Sequence, residues 1–129
     1  MSLPTFLDPP TIAPPVGSYS HCARITAETE FIFLSGQVGL HRDGSLPQTI
    51  EEQAIETFKN IVRALEANGM TLANLAKINT FMVQGHAVEG MRAARAAVLG
   101  DARPASTTVF VPQLVDPRHL IEVEAVFAR

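Results

Sequence analysis

The stretch LIEVEAVF, Leu120 to Phe127, alternates with a period of two and predicts a β-strand that has two different faces. One face is wholly apolar and consists of Ile121, Val123, Ala125 and Phe127. The opposite face combines acidic and apolar side chains, namely Leu120, Glu122, Glu124 and Val126. Because an apolar sheet face must be covered, we expect the first face to pack on helices and the second to meet water or another subunit.

Two amphipathic helices are available to cover this strand. The first is predicted from Thr49 to Gly69, because Thr49 and Glu52 form a capping box and an Asn-Gly pair ends the pattern. Its apolar residues recur at helical spacing: Ile50, Ala54, Ile55, Phe58, Ile61, Val62 and Leu65. The second helix is predicted in HAVEGMRAARAAVLG, residues 86–100, where alanines favour a helix and the final glycine ends it. Its residues at helical spacing are Val88, Met91, Arg95, Val98 and Leu99.

Apolar runs elsewhere predict four more strands, at residues 19–25, 31–38, 75–83 and 106–111. The short polar connection TAETE suits a hairpin between the first two of them. The resulting order, β-β-α-β-α-β-β, predicts an α+β fold in which one mixed sheet packs on two helices. Five prolines near the start predict an extended, irregular arm, assigned to residues 1–16 of a single domain that spans residues 1–129.

Composition and charge exclude several classes of function. The net charge is −3 and no basic cluster exists, which disfavours a nucleic-acid partner. No stretch approaches the roughly 18 apolar residues of a membrane span, and a signal peptide is not recognisable, so we expect a cytoplasmic protein without a membrane partner.

Cys22 is interpreted as a structural thiol, with a nucleophile or metal ligand as the alternative. The histidines His41, His86 and His119 have no spacing suited to a metal.

The uncovered face of the predicted sheet indicates an assembly. The strands beside LIEVEAVF are rich in Ile, Val, Phe, Leu and Met, so both faces of the sheet are mostly apolar. The two helices cover only one of these faces. Because a large exposed apolar surface is rare on a monomer, the residue pattern alone predicts a homo-oligomer.

Several stretches, taken in order, resemble the RidA/YjgF family. They are GSYS at residues 17–20, FLSGQV at 33–38, EEQAIETFKNIVRALEANG at 51–69, KINTFMV at 77–83, RPAST at 103–107 and IEVEAV at 121–126. The resemblance implies a chorismate-mutase-like protomer, assembled as a homotrimer whose sheets close into a central barrel. It also implies three ligand clefts between neighbouring subunits, in agreement with the homo-oligomer predicted from the residues.

The best-known activity of this family is hydrolysis of reactive imines or enamines to a carbonyl compound and ammonia, without a metal or an organic cofactor. The resemblance therefore implies a small-molecule substrate and a catalytic glutamate, Glu122, that positions and deprotonates a water molecule. Active relatives hold the substrate carboxylate with an arginine, and Ser106 occupies that position here. Substrate recognition is therefore expected to be atypical. A non-catalytic trimer that binds a small ligand or a protein is the alternative.

The other candidate residues for substrate binding each have a structural alternative. Ser106 and Thr107 lie where the family has its pocket, although threonine is also an ordinary strand residue. Tyr19 either faces a ligand or is an aromatic side chain at the edge of the core. Ser35 and Gly36 interrupt an apolar strand and predict a bulge or a close backbone approach. In the functional interpretation, these two residues line the ligand cleft.

Charged residues near the implied cleft also allow two interpretations. Arg92 and Arg95 fall where the family commonly has an asparagine and a tyrosine. They either supply positive charge to the site or are solvated on a surface helix, and the solvated interpretation is favoured. Glu124 is assigned to pairing or to the interior of the barrel.

Overall fold

Residues 3–129 are described by a computed structural model in which two helices cover a four-stranded sheet. The helices are α1 (Ile50–Ala67) and α2 (Val88–Leu99). The strands are β1 (Thr5–Leu7), β2 (Cys22–Arg24), β3 (Phe31–Gln37), β4 (Leu75–Val83), β5 (Ala105–Val111) and β6 (Ile121–Ala128). A short 3-10 turn, Leu72–Asn74, leads into β4.

The main sheet has the strand order β3-β6-β4-β5 and is mixed, because β4 and β5 run parallel while the other pairs are antiparallel. The predicted α+β architecture, with two helices and one mixed sheet, is confirmed. Strand β6 is central, and its apolar face turns inward: Ile121, Val123 and Phe127 are fully buried. Both α1 and α2 lie on this inner side, so the alternation in LIEVEAVF predicted the covered face correctly.

Helix α1 begins and ends where its sequence signals predict. The Oγ1 of Thr49 accepts a hydrogen bond from the Glu52 N–H at 3.2 Å and so satisfies one free amide of the first turn. After the helix, Gly69 adopts a φ of +68°, which glycine tolerates without steric cost. On the apolar side of α1, Ile50, Ala54, Phe58, Ile61 and Leu65 are buried in the core, while Ile55 and Val62 are partly buried against it.

The predicted hairpin between residues 19–25 and 31–38 is wrong. Strand β2 pairs with β1 in a separate two-stranded sheet, so the proline-rich segment is not wholly irregular. Thr5–Leu7 contains no proline, and its amides can therefore form a ladder. Strand β3 pairs instead with β6, and this pairing continues into reciprocal backbone hydrogen bonds between Glu30 and Arg129 at 2.7 and 3.1 Å.

A buried glutamine joins α1 to two loops. The side chain of Gln53 is only 1% exposed. Its Nε2 donates to the Pro47 carbonyl at 2.9 Å and to the Arg118 carbonyl at 3.1 Å, and its Oε1 accepts from the Leu120 N–H at 2.8 Å. Both polar atoms of the Gln53 amide therefore bond to backbone groups in the segments that precede α1 and β6.

The Gln53→Ala variant is expected to lose about 3 kcal/mol of unfolding free energy, because three part-buried backbone groups lose their partners. Urea denaturation measures this loss. Gln48→Ala is the matched control, since Gln48 is exposed and its side chain bonds, among the described residues, only to the nearby Leu46 carbonyl. The control is expected to change the unfolding free energy by less than about 0.5 kcal/mol. Equal effects of the two substitutions would contradict the assigned role of Gln53.

Candidate functional site

The segment before β2 lies along the free edge of β5. Ser20 forms a parallel bridge with Ala105; its N–H donates to the Pro104 carbonyl at 3.1 Å and its Oγ to the Arg103 carbonyl at 2.6 Å. Strand β5 is an edge strand of the main sheet, so its outer backbone groups are available for this contact. The contact brings Ser18 and Tyr19 next to α2.

A cavity of about 360 Å³ opens between this segment, α2 and β5, and we call it the α2–β5 pocket. Its lining residues are Val16, Gly17, Ser18, Tyr19, Met91, Arg92, Arg95, Ser106 and Thr108. Three of the predicted candidates, Tyr19, Arg92 and Ser106, therefore lie around one cavity. The Tyr19 hydroxyl accepts a hydrogen bond from the Val16 N–H at 3.1 Å, which links two residues of the same lining segment.

Arg95 is buried in the wall of this pocket, and the prediction that it is solvated is wrong. Only 8% of the residue is exposed, whereas Arg92 is exposed as predicted. The Nη1 of Arg95 donates to the Ser106 Oγ at 3.0 Å, and its Nη2 donates to the Ser18 carbonyl. The signal was present in the sequence, because Arg95 follows the buried Met91 by four residues and so occupies the same helix face.

The environment of the Arg95 guanidinium is positive and poorly solvated. Burial lowers the pKa of Arg95 below its usual value, and the nearby charge of Arg103 lowers the pKa further. An arginine nevertheless stays protonated at neutral pH. The Nε of Arg95 is buried and has no hydrogen-bond partner within residues 3–129. The pocket wall therefore carries a cation that the described part of the chain does not neutralise.

A second group of candidates lies on the other face of the sheet, at a bulge in β3. The register between β3 and β6 shifts between Leu34 and Gln37, which leaves Ser35 and Gly36 unpaired. A Cβ atom at Gly36 would lie 2.7 Å from the Glu122 Cδ and 2.8 Å from its Oε1. The predicted bulge and close approach are confirmed, and a side chain at residue 36 would have to displace the flexible end of Glu122, whose carboxylate fills that space.

The half-buried Glu122 carboxylate forms no hydrogen bond or ion pair within the described part of the chain. No hydrogen-bond donor of residues 3–129 contacts it, whereas the neighbouring Glu124 accepts from the Asn79 Nδ2 at 2.8 Å. This pairing is one of the two roles predicted for Glu124. Of the two glutamates on this strand face, only Glu122 has a carboxylate available to a ligand or a water molecule.

Ser106 and Thr107 do not line the same pocket of the protomer. Successive residues of a strand point to opposite faces, and the Thr107 Oγ1 accepts a hydrogen bond from the Lys77 Nζ at 3.2 Å on the face of Glu124. Thr108, two residues beyond Ser106, lines the α2–β5 pocket in its place. The candidates therefore divide into two groups: Tyr19, Arg92 and Ser106 on the helix side, and Ser35, Gly36, Thr107 and Glu122 on the opposite, outer face.

The outer face of the sheet exposes large apolar side chains. Phe33 is 78% exposed and Phe31 is 47% exposed, and their rings stack with centroids 6.3 Å apart. Val109 of β5 is also exposed on this face. Phe33 lies directly opposite Val126 of β6, so the apolar surface is continuous with the strand that carries Glu122.

Residues 3–129 contain no group of three or more His, Cys, Asp or Glu side chains placed to hold a metal ion. Within the same range, no helix has both the length and the apolar character needed to cross a bilayer. His41 instead contacts the buried Glu56, with 3.3 Å between Nδ1 and Oε1, and Arg63 contacts the same carboxylate at 2.5 Å. These contacts join α1 to His41 in the loop after β3.

The fold and the order of these elements match a known family. A family model described as Endoribonuclease L-PSP matches residues 11–128, which is nearly the whole chain. The chain belongs to the RidA/YjgF family. A crystal structure of a conserved Rid family protein of unknown function from Yersinia pestis superposes with a TM-score of 0.88 over 99% of this chain and 100% of that one. The two are 24% identical, so this likeness shows the fold.

Curated relatives of this RidA/YjgF protein carry different names. A RutC family protein from Aquifex aeolicus is 35% identical over 53% of this chain, and the match spans about half (53%) of the relative's own length. Protein mmf2, mitochondrial, from Schizosaccharomyces pombe is 35% identical over 60% of this chain and 62% of its own. A 2-iminobutanoate/2-iminopropanoate deaminase from Dermatophagoides farinae is 24% identical over 98% of this chain and 97% of its own.

Proposed function

We propose that this protein hydrolyses reactive imines or enamines of small metabolites, releasing ammonia and a carbonyl compound. The observation that carries the proposal is the Glu122 carboxylate, which lies against the glycine of the β3 bulge and has no partner among residues 3–129. A carboxylate without a protein partner beside an apolar surface is available as a base for water. The deaminase name of the Dermatophagoides farinae relative supports the same reaction.

The proposed site is shared between neighbouring subunits of a homotrimer. Within one protomer, the α2–β5 pocket and Glu122 lie on opposite sides of the sheet, so neither forms a complete site alone. The exposed Phe31, Phe33 and Val109 on the outer face favour burial against another copy. Such an assembly would place the Glu122 of one subunit near the α2–β5 pocket of the next.

The proposed reaction needs only water and one carboxylate. Glu122 takes a proton from water as the water oxygen bonds to the carbon of the C=N group, and the nitrogen takes a proton from solvent. The resulting adduct carries a hydroxyl and an amine on one carbon. Glu122 then returns its proton to the amine, the C–N bond breaks as the C=O bond forms, and the hydroxyl proton passes to solvent. One imine and one water thus give one carbonyl compound and one ammonia.

The direct test is ammonia release from a panel of freshly generated imines, some carrying a carboxylate and some neutral. We expect faster release than the uncatalysed rate for at least one member of the panel. Spontaneous hydrolysis in buffer and in the presence of the Glu122→Gln variant gives the background. Release no faster than this background for every imine would contradict the proposal.

A second candidate function is non-catalytic binding of a small ligand or a protein by the same trimeric clefts. The observation that favours it is Ser106, because a neutral hydroxyl stands where active relatives hold their substrate with an arginine. Ligand-induced thermal stabilisation without ammonia release would support this function.

The family model is described as an endoribonuclease, but the net charge of −3 disfavours binding of RNA by this protein. A free Cys22 fits a reducing compartment, and we propose the cytoplasm.

The Gly36→Ala variant is expected to lower turnover on the order of 100-fold, because the new methyl group displaces the Glu122 carboxylate from the bulge. The contact is with the end of a flexible side chain, and the φ of Gly36 is not positive. Unfolding free energy should therefore change by less than about 1 kcal/mol. Steady-state kinetics and urea denaturation of the same preparation check both expectations. Full activity in a stable variant would show that the position of Glu122 is unimportant.

A further inference from the structure

We infer that Arg95 is an anion anchor and that the α2–β5 pocket takes a small molecule through its carboxylate group. The inference deepens the proposed function. It rests on that function only where it identifies the bound ligand as the substrate. Binding itself is argued from the pocket and can be measured without turnover.

The first argument is the missing counter-charge of Arg95. A buried charge without a partner is strongly unfavourable, and proteins normally pair it with an opposite charge. Within residues 3–129, no carboxylate forms an ion pair with this guanidinium. Its two acceptors are neutral: the Ser106 hydroxyl and the Ser18 carbonyl. The charge of Arg103, which lowers the pKa of Arg95, is of the same sign.

The second argument is the surplus of donors in the pocket. A guanidinium carries five N–H groups; the contacts with Ser106 and Ser18 use two of them and the Nε–H is buried, which leaves one donor on each Nη atom. Arg92 adds a second cation to the lining, and Ser106 and Thr108 add hydroxyl groups. No aspartate or glutamate of residues 3–129 belongs to the lining. A group that accepts several hydrogen bonds and carries negative charge is the complement of such a surface.

The third argument concerns size and preorganisation. The pocket volume of about 360 Å³ is at the lower end of ligand sites and suits a small metabolite. Met91 and Arg95 lie on the buried face of α2, and Ser106 is held in β5, so the guanidinium is fixed by two regular elements. A planar, fixed guanidinium favours a planar carboxylate, which accepts two parallel hydrogen bonds.

Calorimetric titration with 2-oxobutanoate tests the inference, with 2-butanone as the neutral counterpart. We expect the protein to bind 2-oxobutanoate and to bind 2-butanone at least about tenfold more weakly. Arg95→Met should weaken binding of 2-oxobutanoate at least tenfold, whereas Arg95→Lys, which keeps the charge but loses the fork, should weaken it less. The matched control is Arg103→Met, which removes an exposed charge outside the pocket lining and should leave binding within about threefold.

Thermal unfolding without ligand separates anchoring from a structural role. Because Arg95→Met removes an uncompensated buried charge, its melting temperature should rise by a few degrees. A residue that served only to hold Ser18 and Ser106 would lower the melting temperature when replaced. Loss of 2-oxobutanoate binding together with a lower melting temperature would therefore overturn the inference.

The remaining outcomes are also decisive. Equal binding of 2-oxobutanoate by the natural protein and Arg95→Met, or equal losses in Arg95→Met and Arg103→Met, would overturn the inference. Tighter binding of inorganic phosphate than of 2-oxobutanoate would overturn the carboxylate assignment. Binding that depends on Arg95, without ammonia release from any imine, would support the inference and contradict the proposed hydrolysis alone.

Discussion

The Glu122→Gln variant is expected to hydrolyse imines at least about 100-fold more slowly than the natural protein, while the assembly and the binding of 2-oxobutanoate are retained. Glutamine has nearly the shape of glutamate but cannot accept the proton of the attacking water. The Glu122 carboxylate accepts no hydrogen bond from residues 3–129, so the substitution breaks no contact within the described protomer. The variant should therefore fold normally.

Glu124→Gln is the control for this prediction. It removes the same charge from the same strand face, but Glu124 is exposed and bonded to Asn79 rather than placed at the bulge. Turnover should remain within about threefold of the natural protein. Initial rates of ammonia release and native mass spectrometry measure activity and assembly together. If Glu122→Gln retained full turnover, the base would have to be sought elsewhere.

The Phe33→Asp variant is expected to convert the proposed homotrimer to monomers and to abolish turnover. Phe33 is 78% exposed in the protomer, stacks on Phe31 and adjoins the strand of Glu122. A carboxylate buried in an apolar interface costs several kcal/mol per subunit, which exceeds what a modest interface tolerates. Activity should disappear with assembly, because a protomer keeps the α2–β5 pocket and Glu122 on opposite sides of its sheet.

Native mass spectrometry at micromolar concentration tests this prediction. Ala96→Asp introduces the same charge at an exposed position of α2, on the helix side of the sheet, and should leave the natural assembly intact. A monomeric natural protein would contradict the trimer itself. A trimeric and active Phe33→Asp variant would show that the outer face is not the interface.

Local patterns in the sequence determined the elements of this protein. The capping residue Thr49, the helical spacing from Ile50 to Leu65 and the alternation in LIEVEAVF each act over a few residues, so α1 and the buried face of β6 were predicted correctly. The bulge at Ser35 and Gly36 was predicted for the same reason, since two small residues interrupting an apolar strand are a local signal.

Contacts between distant residues were decided only by the tertiary structure. The sequence cannot state which edge a short strand joins, so β2 pairs with β1 although a hairpin with β3 was equally compatible with the local pattern. Likewise, helical spacing places Arg95 on the same face of α2 as Met91, but its contact with Ser106 depends on how α2 packs beside β5. Burial is a property of the whole packed chain. Only the tertiary structure therefore shows that Arg95 is a buried charge without a counter-charge among residues 3–129.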